Sequence, residues 1–140
     1  MKTTYTLDTN TISYLFRAEG NVSTNFQKAI FEDSNPYVVP YIVVYEVRRW
    51  LQDRPTKQMQ AFSQKFDVFF KVVEEEAAMG SDVWNAATQI YINLKQKGQL
   101  IGDADILIAA YCIVNEYTLV TRNERDFGRI DNLKFVNWFD

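Results

Sequence analysis

The chain has 140 residues, 47% of them hydrophobic, and its 18 acidic and 15 basic side chains give a formal net charge of −3. It has no histidine and a single cysteine, Cys112, which excludes histidine-dependent catalytic triads, an intramolecular disulfide and a cysteine-based zinc site. A chain of this size and apolar content is expected to fold as one domain over residues 1–140. Carboxylates are the groups that remain for catalysis, and a divalent cation held by them would supply positive charge to a site that binds nucleic acid.

The predicted elements of the first half alternate between short strands and longer helices. A strand over Tyr5 to Leu7 ends at Asp8, and a helix capped by Thr9 or Asn10 follows as far as Arg17. A second amphipathic helix is predicted over Val22 to Phe31, and a second strand over Tyr37 to Val39.

The middle of the chain is predicted to be mostly helical. Pro40 suits the first turn of a helix that runs to about Gln52, and another helix covers Thr56 to Phe69. Phe70 to Val73 is interpreted as a possible strand, and Glu75 to Lys97 as a long helix that ends before Gly98.

The last third contains a buried helix and two strands. The helix follows Gly102 and has Asp103 and Asp105 in its first turn, where the helix dipole favours negative charge. Strands are predicted over Thr118 to Thr121 and Lys134 to Val136. This alternation predicts a three-layer α/β/α fold with a mostly parallel central sheet and a site at the carboxyl ends of its strands.

Acidic and amide side chains follow several of these elements at the same edge of the sheet. Asp8 follows the first strand, Glu46 lies in an apolar helical segment, and Asp105 opens the buried helix. Asn123 and Asp126 follow the strand over Thr118 to Thr121. A cluster of this kind is expected to bind a hard cation, because the cation relieves the repulsion between carboxylates.

Each candidate also has a purely structural interpretation. Asp8 and Asp103 are suitable helix N-caps, Glu46 could face solvent, and Asn123 and Asp126 could be cap or turn residues. Asp105 is favoured over Asp103 for the site, because residues two apart on a helix point to different sides.

Basic residues near the last part of the site are candidates for contacts with phosphate. Arg122 and Arg125 are the favoured residues and Arg129 lies nearby, although all three could instead form local ion pairs. The run of Arg48, Arg49, Arg54 and Lys57 is assigned mainly to the surface, with phosphate binding as the less favoured alternative.

Four segments of the chain, in order, resemble the motifs of PIN domains. They are Leu7 to Asn10, Glu46 in its helix, Ile101 to Ala110 and Leu119 to Phe127. The resemblance covers essentially the whole chain, and it is strongest to the VapC toxins of bacterial toxin–antitoxin pairs.

The resemblance implies an endoribonuclease that depends on Mg²⁺ or Mn²⁺. A cytoplasmic protein is expected separately, because the residues that follow Met1 include no apolar signal region. The resemblance assigns Asp8, Glu46 and Asp105 to the core acidic set, with Asn123 or Asp126 as a fourth residue, and the choice between these two stays open. Thr9 and Thr121 match positions near the site where the family has small hydroxyl residues. Asp103 lies outside the family's core pattern.

The same resemblance implies partners and products. It implies a homodimer, a cognate VapB-like antitoxin that blocks the acidic pocket, and an RNA substrate, with transfer RNA favoured among several classes. Attack by water would leave a 5′-phosphate and a 3′-hydroxyl. No membrane contact is expected, since the longest apolar stretches, such as Val38 to Tyr45, are too short to span a bilayer.

Two other functions are compatible with parts of the pattern. One is a degenerate PIN-like module that binds RNA or a partner without cleaving it. The other is a phosphotransfer domain with an aspartate after its first strand, although Asn10 occupies the place where a haloacid-dehalogenase phosphatase has its second aspartate.

Overall fold

A four-stranded parallel sheet forms the centre of the computed structural model, which describes residues 2–54, 56–71 and 78–140. The strands are β1 (Tyr5–Leu7), β2 (Tyr37–Val38), β3 (Thr118–Val120) and β4 (Lys134–Val136). They lie in the order β2-β1-β3-β4, and each neighbouring pair is parallel. The predicted strands at these positions are confirmed, with β2 and β3 each one residue shorter than expected.

The described ranges contain seven α-helices. They are α1 (Thr9–Arg17), α2 (Val22–Phe26), α3 (Tyr41–Asp53), α4 (Lys57–Lys71), α5 (Ser81–Gln96), α6 (Asp103–Asn115) and α7 (Glu124–Phe127). A π-helical segment, Gln27–Glu32, continues α2 directly. The helices flank the sheet, and the predicted three-layer arrangement is confirmed.

The apolar sequence of α6 explains its place at the centre of the protein. Ile108, Ala109, Ala110 and Cys112 are each no more than 1% exposed, so the helix is buried along most of its length. It packs against α5, α3 and β3. Burial raises the pKa of the Cys112 thiol to about 12, so the thiol is neutral and behaves as a small apolar group.

The strand predicted over Phe70 to Val73 is wrong in its first half. Phe70 and Lys71 are the last residues of α4, and Val72 and Val73 lie outside the described residues. Helical spacing places Phe62, Phe66 and Phe70 on one buried face, with the Phe66 and Phe70 rings stacked at 6.0 Å. Aromatic residues favour strands in general, but here they recur with the period of a helix.

The long helix predicted over Glu75 to Lys97 begins later than expected. Gly80 has an extended backbone and precedes the first helical residue, Ser81, while residues 75–77 lie outside the described part of the chain. The predicted end is confirmed within one residue, because Gly98 adopts a left-handed conformation just after the helix.

The residues after β4 pack back against the start of the chain. The backbone N–H of Asn21 donates to the Phe139 carbonyl at 2.9 Å, and the Asn25 side chain donates to the Trp138 carbonyl at 2.9 Å. The Phe139 ring meets the Tyr14 ring edge-on at 4.7 Å. These contacts fix one side of the region that follows β1. Within the described ranges, no helix has the length and hydropathy needed to cross a membrane.

Two glycines with left-handed backbones should respond differently to substitution. A Cβ at Gly20 would lie 2.8 Å from the ring and the carbonyl oxygen of Phe139, whereas a Cβ at Gly98 would meet nothing within 4 Å. We expect Gly98→Ala to cost about 1 kcal/mol, from its φ alone, and Gly20→Ala to cost about 2–4 kcal/mol. Urea denaturation of both variants measures the difference. Equal losses would show that Phe139 moves aside without cost.

Candidate active site

Asp8 directly follows β1, one of the two inner strands of the sheet, and is 7% exposed. Its backbone N–H donates to the Val120 carbonyl on β3, and its carboxylate Oδ1 accepts from the Thr11 N–H at 2.9 Å. The Thr11 hydroxyl donates to the same Val120 carbonyl at 3.0 Å. Asp8 is therefore the N-cap of α1, and the prediction that Thr9 or Asn10 caps this helix is wrong.

Burial is the main influence on the charge of Asp8. Desolvation raises the pKa of this carboxyl, and the negative charge of Glu46 raises it further. Hydrogen bonds from Thr11 and Thr121 act in the opposite direction and favour the ionised form. The structure thus places a carboxylate where its ionisation is costly unless positive charge is bound next to it.

Glu46 lies in α3, is half-buried and faces the first turn of α1. Its Oε1 accepts a hydrogen bond from the Thr9 hydroxyl at 2.7 Å. The expected position of Thr9 near the cluster is thereby confirmed, and Glu46 does not point freely into solvent.

Asp105 is the third residue of α6 and is half-buried. Its pKa is raised to about 6, first by desolvation and then by the negative charges of Asp8, Glu46 and Asp126. Asp103 is exposed and lines a different pocket, beside Trp84. The choice of Asp105 over Asp103 agrees with this placement, whereas the N-cap of α6 is Gly102 and not Asp103.

Asn123 and Asp126 form a small cap of their own. Asn123 is the N-cap of α7, and its Nδ2 donates to Asp126 Oδ2 at 3.1 Å. This hydrogen bond is the main reason that the pKa of Asp126 is lowered, and nearby Arg125 and Arg129 contribute. The Thr121 hydroxyl accepts from the Asn123 N–H at 3.0 Å, so the buried Thr121 supports this turn.

The arginines after β3 have different surroundings. Arg125 and Arg129 form ion pairs with Asp126 at 3.5 and 3.6 Å, as the local-pairing interpretation predicts. Arg122 also pairs, with Asp140 at 3.8 Å, and its guanidinium lies 3.6 Å from the centre of the Phe139 ring. Among these three, Arg122 is the residue that lines a pocket beside Asp8.

Two adjoining pockets share Asp8 and Asn10. The larger has a volume of about 490 Å³ and is lined by Asp8, Thr9, Asn10, Ser13, Glu46, Arg49, Trp50, Asp53, Asp105 and Ile108. The smaller, of about 230 Å³, is lined by Asp8, Asn10, Tyr14, Arg122 and Asn123. The structure therefore brings the three core acidic residues to one cavity, and it places Asn123 next to Asp8 on the other side.

Several residues that line the larger pocket were not among the favoured site residues. Ser13 lies on α1, and Arg49, Trp50 and Asp53 lie on α3. The signal for the α3 residues was present, since they follow Glu46 by three, four and seven positions, which is the spacing of one helix face.

The donor set suits a hard cation, although no closed cage is formed. In residues 2–54, 56–71 and 78–140, no three acidic side chains come close enough to bind a single ion together. Mg²⁺ is commonly held by one or two carboxylates and keeps several waters, so it does not require such a cage. The side-chain carboxylate of Asp105 accepts no hydrogen bond from the described residues, so its oxygens are available to a cation or its waters.

Comparison with known proteins identifies the family. A sequence model of the PIN domain matches residues 5–133. The chain belongs to the PIN domain family. The resemblance to PIN domains that the four sequence motifs indicated is thereby confirmed.

Similar proteins have been named as ribonucleases. The PIN domain is 29% identical over 136 residues to ribonuclease VapC2 of Rickettsia felis, covering 96% of this chain and 97% of that one. It is 28% identical over 106 residues to ribonuclease VapC1 of Methanocaldococcus jannaschii, covering 75% and 72%. Its fold is similar to the structure of VapBC2 from Rickettsia felis bound to a promoter DNA fragment, with a TM-score of 0.77, 26% identity and coverage of 96% and 98%.

Neutralising Asp105 should stabilise the metal-free PIN domain at neutral pH. Its folded pKa of about 6 exceeds the ordinary value of 3.8, so its stabilising contribution is present below about pH 4 and is lost as the pH rises through 6. We expect Asp105→Asn to add about 1–2 kcal/mol at about pH 7.5 in EDTA, a value reduced from the full shift because water reaches this carboxylate.

Urea denaturation at about pH 7.5 and about pH 4 measures this effect, which should nearly vanish at the lower pH. Asp103→Asn, two residues earlier on the same helix but exposed, is the matched control and should change little at either pH. A destabilised Asp105→Asn protein at neutral pH would contradict the proposed electrostatic cost.

Proposed function

We propose that this PIN domain is a metal-dependent endoribonuclease toxin that a cognate antitoxin inhibits. The observation that carries the proposal is the meeting of Asp8, Glu46 and Asp105 at one pocket beside the carboxyl end of β1. Burying mutually repelling carboxylates is unfavourable without a cation, so a module that only bound a partner would have no use for this arrangement. The names of the two similar ribonucleases support the same activity.

Asp8, Glu46 and Asp105 would hold one or more divalent cations, with Mg²⁺ or Mn²⁺ as the proposed ion. When bound, such a cation neutralises charge on the RNA phosphate and makes an attacking water more acidic. Thr9 keeps the Glu46 carboxylate turned toward the pocket through its 2.7 Å hydrogen bond.

The chain contains no imidazole, so a carboxylate of the cluster accepts the proton of the attacking water. Water adds to phosphorus, the bond between phosphorus and the 3′-oxygen breaks, and that oxygen takes up a proton from solvent as it leaves. The products would carry a 5′-phosphate and a 3′-hydroxyl. In this proposal Asn123 contacts the RNA backbone next to Asp8. Asp126 acts through its negative charge and through the hydrogen bond that it accepts from the Asn123 side chain.

The smaller pocket would receive the adjoining part of the RNA. Arg122 lies against the Phe139 ring and lines the smaller pocket, so it is the favoured phosphate contact, while the exposed Arg125 is a weaker one because it lines neither pocket. We propose residues 1–140 as one such domain, acting on cytoplasmic RNA, of which transfer RNA is the favoured class.

The partners follow from the same proposal. The similar structure from Rickettsia felis is of VapBC2, and a further similar structure is described as a member of the VapBC family of toxin–antitoxin systems. We propose that an antitoxin segment occupies the acidic pocket and that the toxin forms a homodimer.

Cleavage should require both the metal and Asp8. With unfractionated tRNA and a model messenger RNA, we expect cutting in Mn²⁺ or Mg²⁺, none in EDTA, and a loss of at least about 100-fold in Asp8→Asn. Asp103→Asn is the control and should retain activity, since Asp103 lies outside the pocket.

The ends of the products give an independent check of the same reaction. Detection of a 2′,3′-cyclic phosphate would contradict attack by water. Absence of cleavage in every metal, with Mn²⁺ still bound, would favour a non-catalytic RNA-binding module.

Thr9 should act as a positioning residue for Glu46. Thr9→Val removes the 2.7 Å hydrogen bond at nearly constant volume, and we expect kcat to fall about tenfold with a small change in KM. Thr9→Ser keeps the hydroxyl and should restore most of the rate. Equal rates for the valine and serine variants would show that Glu46 needs no such support.

A further inference from the structure

The larger pocket is bigger than a metal ion and its waters require. Its volume of about 490 Å³ lies within the ~300–1,000 Å³ typical of sites that enclose whole organic ligands. Asp8, Glu46 and Asp105 occupy one part of its lining. The remaining part is formed mainly by α1 and α3, and the α3 side chains there have no role in the reaction described above.

One face of α3 contributes to that remaining surface. Glu46, Arg49, Trp50 and Asp53 are spaced as i, i+3, i+4 and i+7, and all of them line the pocket. Arg48 lies on a different face, where its guanidinium is 5.6 Å from the centre of the Phe70 ring on α4. The helix therefore directs one of two adjacent arginines toward the acidic centre.

Arg49 is a positioned cation without a carboxylate partner among the described residues. Its guanidinium lies 5.1 Å from the centre of the Tyr45 ring, and its Nη1 donates to the Tyr45 hydroxyl at 3.2 Å. Asp53 lines the same pocket, but no ion pair joins it to Arg49 in the structure as described. The remaining N–H groups of Arg49 are available to an anion.

Positive charge at Arg49 offsets the repulsion between the acidic pocket and a polyanion. The protein has a net charge of −3 and its pocket contains several carboxylates, so a polyanion approaching the centre is repelled unless cations flank it. Arg122 provides a cation on the side of the smaller pocket, beyond Asp8. Arg49 provides one in the lining of the larger pocket, and a phosphate fits its planar fork of donors.

We infer that Arg49 binds an RNA backbone phosphate adjacent to the scissile one. Trp50, whose ring lies 5.2 Å from the Arg17 guanidinium and 6.1 Å from the Phe62 ring, provides apolar surface beside that phosphate. This subsite extends the proposed ribonuclease function and rests on it. The RNA strand then crosses the acidic centre with phosphate contacts at Arg122 and at Arg49. Neither a backbone phosphate contact nor apolar packing reads the edge of a base, so this subsite favours single-stranded RNA of relaxed sequence.

Arg48 and Arg49 offer a matched pair for the test. In an Asp8→Asn background, which prevents cleavage, anisotropy of a fluorescein-labelled single-stranded RNA of about 12 nucleotides measures binding in Mg²⁺ across a series of NaCl concentrations. We expect Arg49→Gln to weaken binding about tenfold and to reduce the slope of log Kd against log salt by about 0.7. Arg48→Gln should change affinity less than about twofold. Thermal unfolding of each variant shows that the fold is intact.

The outcomes separate this subsite from the nuclease proposal. If both glutamine variants weaken binding equally, or if Arg49→Gln leaves affinity and salt slope unchanged, the subsite is wrong even when wild-type protein cleaves RNA. If Arg49→Gln alone weakens RNA binding but wild-type protein cleaves nothing, the subsite stands and the nuclease proposal fails. If Arg49→Gln weakens binding of the antitoxin and not of RNA, Arg49 belongs to the partner interface and the inference is wrong.

Discussion

The burial of a carboxylate at the end of the central strand is the constraint on which the rest of the site depends. Asp8 follows β1, which has parallel neighbours on both sides, so its backbone position is fixed by β3 as well as by α1. A carboxylate in such a place loses solvation, and the hydrogen bond from the Thr11 N–H offsets only part of that loss. The same residue thus begins a helix and keeps an unfavourable charge, which makes α1 and the acidic pocket parts of one arrangement.

The other acidic residues increase this electrostatic cost and do not relieve it. Glu46 raises the pKa of Asp8, and both raise the pKa of Asp105. Asp126 differs, because Asn123 and two arginines stabilise its charge locally. A bound cation would therefore act on a set of carboxylates that is already assembled, and its binding free energy would stabilise the folded state. The carboxylates that destabilise the metal-free protein are therefore the same groups that would bind the ion.

The parts of the fold that depend on local pattern were predictable from the sequence. Asp8 was located because a short strand ends there, and Asp105 because a strongly apolar helix starts beside it. The end of α4 was missed, since Phe70 favours a strand by type and only its spacing from Phe62 and Phe66 places it in a helix. The choice between Asn123 and Asp126 depends on a single helical turn, whose hydrogen bonds no sequence pattern specifies. Arg49 shares a helix face with Glu46 by its spacing and Arg48 does not, but only the structure shows that this face lines the pocket.

The strand order also has a consequence during protein synthesis. β1 is the first strand of the chain, yet its neighbour β3 begins at Thr118, and the Thr11 hydroxyl beside Asp8 bonds to Val120, 109 residues later. A nascent chain that has emerged only as far as α5 contains Asp8 and Glu46 but lacks the strand that holds Asp8 in place, and it lacks Asp105. The acidic pocket is thus assembled only after the chain as far as β3 has left the ribosome. An RNA-cutting protein built in this order would be inert toward the messenger being translated until that strand had emerged.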